Sequence, residues 1–195
     1  MYNKYITIIT AENKERYLYD TIKSCLKQLS NIDIKIFIVY TKLSNEKTLK
    51  NKFINNKKII FIKFNFKKKL PTQDQLFKIE NVLKYLKNEW ILLLDGDDLF
   101  KQNKIKTLNK FKLDKNKIYL HNHEKIYGKK VKIERGKNYK KNPIFKKIFN
   151  DWPEKINTSS IILSGDLLKK FYKNYNPYQW KYLAIDVQLI LYFYY

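Results

Sequence analysis

The chain is 195 residues long, 44% hydrophobic and 16% aromatic, with a formal net charge of +23. That length supports one substantial core and not two comfortable domains, and the apolar content excludes a disordered chain. The charge invites a nucleic-acid reading, yet of the 41 basic residues only Arg16 and Arg135 are arginine, the residue suited to bidentate recognition of bases and phosphates.

No nucleic-acid partner is therefore expected, although a basic nucleic-acid-binding module is the non-enzyme alternative that the charge keeps open. The lysines read as a solvated surface, and a lysine-rich face would also sit well on an anionic membrane. The single cysteine, Cys25, excludes an internal disulfide and fits a reducing compartment. Met1–Thr10 carries no cleavage-site pattern, and no apolar run approaches the roughly 20 residues that cross a bilayer. The expected location is cytoplasmic, with peripheral contact at the inner face of the membrane as an option.

In chain order, Tyr5–Thr10 is a β-rich run, and Leu18, Ile22, Cys25, Leu26 and Leu29 recur at helical spacing between Lys14 and Leu29. Ile34–Tyr40 and Ile59–Phe64 are again strand-like. Pro71 opens a helix in which Thr72 and Gln75 have capping-box spacing, with Leu76, Ile79, Leu83 and Leu86 on its buried face. Trp90–Leu94 follows as a strand. Such alternation predicts a parallel, helix-covered sheet. In the second half, Ile105, Leu108 and Phe111 suggest a short helix, and Lys117–His121 and Ile126–Ile133 read as short strands turning at Gly128-Lys129. Lys137–Lys147 reads as a mobile loop. Ser160–Leu163 is a compact strand, Ser164 a plausible N-cap for a helix through Tyr172, and Tyr182–Tyr195 an apolar, aromatic helix. The last ends without a cap or polar tail, which suggests a truncated chain. The expectation is one domain over 1–195, with an αβ half (1–100) and a smaller irregular half (101–195).

The most informative segment is Asn88–Phe100. Five apolar residues, Trp90 to Leu94, run into three carboxylates, Asp95, Asp97 and Asp98. The run reads as a strand buried on both faces, and ending it in three negative charges is costly unless a cation sits there. Gly96 removes a side chain where a ligand could approach. Hard oxygen donors at the end of a parallel strand suit Mg²⁺ or Mn²⁺ carrying a phosphorylated substrate. The plainer reading is a polar loop in which Asp97 or Asp98 caps the next helix. His121 and His123, with Glu124 adjacent, would share one strand face and draw a metal site that lacks a fourth ligand. Trp152 and Trp180 suit either a sugar groove or buried packing.

Four segments together resemble the family 2 glycosyltransferases of the GT-A fold. Ile6–Asn13 followed by Tyr17-Leu18 is similar to their first strand and turn, and Glu89–Asp98 resembles their apolar strand ending in Asp-Ser-Asp-Asp. Asn157–Ser164 looks like the Thr/Ser-rich strand that follows in the acceptor half, and Leu183–Leu189 resembles the late Glu-Asp motif, with Asp186 at the Asp. The chain departs from the pattern in five places, one being the Arg usual downstream of the late motif, which has no counterpart here. Strand two ends Val39-Tyr-Thr41 in place of an Asp pair, leaving a Tyr40 stack or the Thr41 hydroxyl. Glu12 replaces a tyrosine, Ile185 the late Glu, and the helix before the acidic strand lacks Ala-Arg-Asn.

The resemblance implies an α/β, GT-A-like fold and metal-dependent, inverting transfer from a nucleotide-diphospho-sugar to a glycan or lipid-linked acceptor, in surface-glycan assembly. It places the donor nucleotide near Thr10, Glu12 and Asp95, and a Mn²⁺ or Mg²⁺ ion on Asp97 and Asp95. Asp98 becomes a supporting or capping residue, and Asp186 the general base; the alternative for Asp186 is a buried capping or salt-bridged carboxylate. A haloacid-dehalogenase-type phosphatase also sets Asp-x-Asp after an apolar strand, but there the strand opens the domain. A degenerate transferase that keeps only the fold is the remaining alternative.

Overall fold

The computed structural model describes residues 4–12, 15–28, 33–127, 130–134 and 156–194. Asn13, Leu29, the Gly128-Lys129 turn, Arg135, the Lys137–Lys147 loop, Trp152 and Tyr195 lie outside the described residues.

The first half alternates as its sequence predicts: β1 (Tyr5–Ala11), α1 (Glu15–Leu26), β2 (Ile34–Tyr40), α2 (Glu46–Lys52), β3 (Ile59–Lys63), α3 (Pro71–Glu80) and β4 (Trp90–Asp95). The second half supplies α4 (Lys104–Leu108), β5 (Tyr119–Leu120), β6 (His123–Tyr127), β7 (Lys130–Glu134), β8 (Ile161–Ser164), α5 (Gly165–Tyr175) and α6 (Ile185–Tyr194). Six strands form one sheet in the order β3-β2-β1-β4-β8-β5. β1 pairs in parallel with both β2 and β4, and β2 with β3, whereas β8 runs antiparallel to β4 and β5. The second half thus completes the sheet of the first half through β8 and β5. β6 and β7 form a separate antiparallel pair.

Two apolar layers cover the two faces. β4 alternates between them, Trp90, Leu92 and Leu94 joining one and Ile91 and Leu93 the other. α1 buries Leu18, Ile22 and Cys25 in the first layer, a spacing that keeps one helical stripe inward. α3, α5 and α6 cover the second through Leu76, Ile79, Leu168, Phe171, Ile185 and Leu189. The five apolar residues of β4 are all buried, each contributing about 2 kcal/mol of transfer free energy. Pro71 occupies the first turn of α3, where its missing N–H costs nothing. Ser164 caps α5, its Oγ accepting from the Leu167 N–H at 3.2 Å, and Asn176 closes that helix in the left-handed region with Pro177 behind it. Among the described residues, no helix is long and apolar enough to cross a membrane.

Candidate active site

β1 sits between β2 on one side and β4 on the other, so the crossovers leaving β1 and entering β4 part at this point of the sheet. Open α/β sheets bind ligands at the carboxyl ends of their strands where the order reverses. At that edge Thr10 pairs in register with Asp95. The Thr10 hydroxyl donates to Asp95 Oδ1 at 3.3 Å, and Gln75, from the first turns of α3, donates its amide to the same oxygen at 2.8 Å. Gln75 also lies 3.3 Å from the Thr10 hydroxyl and 3.5 Å from that of Thr158. On the other side the Asp95 N–H donates to Ser159 Oγ at 2.9 Å. Residues from β1, α3 and the turn before β8 therefore converge on Asp95, the first two on its carboxylate and the third on its backbone N–H.

Beyond Asp95 the chain turns sharply, the Asp98 N–H reaching the Asp95 carbonyl at 3.0 Å. Gly96 is needed here for packing. A Cβ on it would lie 3.1 Å from the Ala11 Cβ and 3.2 Å from the Thr10 carbonyl oxygen. What approaches Gly96 is β1 itself, so its small size serves the turn, not a ligand. The next helix begins at Lys104 with Asn103 at its cap, so neither Asp97 nor Asp98 caps it. Asp97 is exposed and Asp98 half-buried. Burial, followed by the charges of Asp98 and Asp97, pushes the Asp95 carboxyl up to about 7, with Asp186 adding to the rise. Like charges held this close favour either a proton or a cation, and the oxygen donors present fit Mg²⁺ or Mn²⁺.

Asp186 stands in the first turn of α6, 9% exposed, and its Oδ1 accepts from the Val187 N–H at 2.8 Å. Burial raises its carboxyl above the ordinary range despite backbone hydrogen bonds that oppose the rise. Its charge is felt at Asp95, so the late carboxylate and the acidic turn belong to one electrostatic neighbourhood.

Other sequence-selected residues are placed differently. Glu12 is enclosed by two ammonium groups, Lys67 and Lys78, the latter at 3.0 Å. Burial pushes its carboxyl up, but Lys67 and Lys78 outweigh this and hold it below the usual range. Lys78 is itself buried, bonded to the Ala11 carbonyl at 3.1 Å and to Asp74 at 2.7 Å. Glu12 is thus a neutralised wall of the site. Tyr40 is buried with its hydroxyl on Glu46 at 2.8 Å and offers no stacking face. The Thr41 hydroxyl is buried and finds no partner among the described residues.

His121 and His123 do not share a strand face, because β6 starts at His123. His121 instead lies against the Ser159 carbonyl at 2.9 Å and Lys104 Nζ at 2.5 Å, while Glu124 pairs with Lys101. Burial and the Lys104 charge pull His121 down to about 4, and burial pulls Lys104 down to about 7. Among the described residues, no group of three or more His, Cys, Asp or Glu side chains could hold a metal ion alone. Trp180 is exposed.

The capping box expected of Thr72 and Gln75 is absent. Leu70 is the cap residue, Thr72 donates to the Lys181 carbonyl, and Gln75 serves Asp95. Gln75 and Ser159 are the site residues that local pattern missed. The only signal was the Thr/Ser run at 158–160.

The six-stranded, mostly parallel sheet flanked by helices has a fold of the GT-A type. The chain belongs to the family described as Glycosyl transferase family 2, whose profile matches residues 6–171. Similar solved structures include S. aureus TarS 1-349 in complex with UDP-GlcNAc, 17% identical with a TM-score of 0.64, covering 86% of this chain and 47% of that one. The mannosyltransferase PcManGT from Pyrobaculum calidifontis, in complex with GDP-Man and Mn²⁺, is 8% identical with a TM-score of 0.52, covering 64% and 36%. 4-Diphosphocytidyl-2C-methyl-D-erythritol synthase from Anaerococcus prevotii is 19% identical with a TM-score of 0.58, covering 98% and 82%. These likenesses show the fold, and the chain spans about half the length of the TarS structure. Curated protein sequences gave no match.

Proposed function

We propose that the chain transfers a sugar from a nucleotide-diphospho-sugar to a hydroxyl of a glycan or lipid-linked acceptor, with inversion at the anomeric carbon. The observation that carries this reading is the Thr10–Asp95–Gln75 cluster at the switch point, followed across Gly96 by Asp97 and Asp98, with Asp95 raised by burial and then by the Asp98 and Asp97 charges. Asp97 and Asp95 would hold a Mg²⁺ or Mn²⁺ ion, which would supply charge neutralisation for the departing diphosphate. Thr10 and Gln75 fix the Asp95 carboxylate so that it faces the donor and not the solvent. Glu12, already neutralised by Lys67 and Lys78, borders the nucleotide.

Asp186 accepts the proton of the acceptor hydroxyl, and burial makes it a stronger base than an ordinary aspartate. The acceptor oxygen bonds to the anomeric carbon as the bond from that carbon to the phosphate oxygen breaks, its electron pair leaving with the nucleoside diphosphate. One further negative charge develops on the leaving diphosphate, and it is there that a bound cation would contribute.

Calorimetric titration of UDP, GDP, CDP and dTDP, with and without Mn²⁺, tests this reading. Metal-dependent binding of one nucleotide that disappears in Asp97→Asn is the expected result. No binding by a demonstrably folded protein would overturn it and leave a transferase fold without activity. Asp186→Asn should keep the donor affinity and lose transfer.

A further inference from the structure

The parallel strands β1 to β4 fix which surface groups surround the site, because whatever follows each strand emerges at the same edge. Phe66 lies three residues after β3, Leu99 four after Asp95, and Tyr17 in the opening turns of α1; all three are exposed. The segment before α6 is brought to this edge by the Thr72 hydroxyl, in the first turn of α3, which donates to the Lys181 carbonyl. There Trp180 is 52% and Tyr182 75% exposed. Of the large hydrophobic side chains exposed among the described residues, these five lie on segments at this edge. Lysines are interleaved with them. Lys181 Nζ sits 5.2 Å from the Tyr182 ring, and Lys68 Nζ sits 5.1 Å from the Phe66 ring and 5.7 Å from that of Tyr178.

Exposed tryptophan and tyrosine with lysine ammonium groups beside them is the chemistry of a bilayer interface, where rings sit at headgroup depth and lysines reach the phosphates. A soluble anionic polymer would engage the lysines but would gain little from Leu99, Phe66 and Trp180. We infer that the mouth of the site is a docking face for an anionic lipid surface, seated by Trp180, Tyr182 and Phe66 and held by Lys68 and Lys181. The acidic turn then lies at this edge, opposite the membrane, where an acceptor hydroxyl at headgroup level would meet it. This bears on the acceptor side of the reaction proposed above, but it stands on surface chemistry that holds whether or not the donor reading does.

The test is sedimentation of the full chain with phosphatidylcholine vesicles and with phosphatidylcholine–phosphatidylglycerol vesicles, in the absence of nucleotide. Binding is expected only to the phosphatidylglycerol-containing vesicles. Trp180→Ser with Tyr182→Ser should lower it about tenfold or more. Ile54→Ser with Phe111→Ser, exposed residues on the turn after α2 and the segment after α4, should leave it unchanged. Matched thermal melts of the two double variants guard against unfolding. Equal binding by both variants, or an equal loss in both, would overturn the inference and leave adsorption through net charge alone. Binding to soluble polyphosphate with the same dependence on Trp180 and Tyr182 would overturn it in favour of an anionic polymer. Nucleotide titration of the same variants in solution separates failure of this inference from failure of the donor reading.

Discussion

Asp95 is held where its own ionisation is opposed by burial and by Asp98 and Asp97, and this has a thermodynamic consequence. Unfolded, such a carboxyl ionises near 3.8; folded, near 7. Between those values the unfolded chain has released a proton that the folded chain keeps. Stability therefore falls as pH rises through this window, and the penalty is complete above about 7. Asp95→Asn should flatten that decline in thermal melts and raise the melting temperature at mildly alkaline pH, while nucleotide binding is lost. Gln75 gives a second prediction. Gln75→Leu removes one of two side-chain donors to Asp95, and loss of a hydrogen bond to a charged group should weaken nucleotide diphosphate binding about tenfold. Gln75→Glu should weaken it further by adding another carboxylate. Thr10 and Asp95 were legible in the sequence because each lies at the end of an apolar run. Gln75 was not, since its partner is twenty residues away and its spacing from Thr72 imitates a cap.

At the scale of elements, two glycines separate packing from site geometry. A Cβ on Gly165, at the start of α5, would lie 2.6 Å from the Lys87 carbonyl oxygen, and that backbone cannot yield without moving the entry to β4. Gly165→Ala should cost about 2 kcal/mol in urea unfolding. Gly96→Ala meets β1 at 3.1 to 3.2 Å, a closer fit than most side chains tolerate but less severe. Its expected signature is a smaller loss of stability with a larger loss of nucleotide affinity, because the displaced segment carries Asp97. Strand boundaries were readable to within about a residue wherever Ile, Val, Leu and Phe run together. The start of β6 was not: it lies at His123, three residues before the expected Ile126, while β5 ends at Leu120, so His121 falls between the two strands. Nor could local pattern show that β8 runs antiparallel to β4, since strand direction is a tertiary property.

For the whole molecule, a net charge of +23 sets a repulsion that few internal pairs relieve. The ion pairs of the described residues are mostly exposed, each worth little, and the buried Lys78–Asp74 pair is the exception. Melting temperature should therefore rise as sodium chloride is added up to about 0.15 M, as screening shortens the reach of like charges to about 8 Å. A fall over that range would mean that attractive pairs dominate. Composition foretold this behaviour directly.

The antiparallel seat of β8 on β4 also sets the order in which the protein can be made. β4 finds β1 as soon as it is synthesised, but its other edge stays open until Ile161–Ser164 has left the ribosome, some seventy residues later. During that interval Trp90–Leu94 presents an uncovered, uncharged edge, the kind of surface on which nascent chains pair with one another. The strand that delivers the acidic turn is thus the point of greatest exposure during synthesis. Slow translation across the stretch between β4 and β8 should increase dependence on chaperones and lower soluble yield.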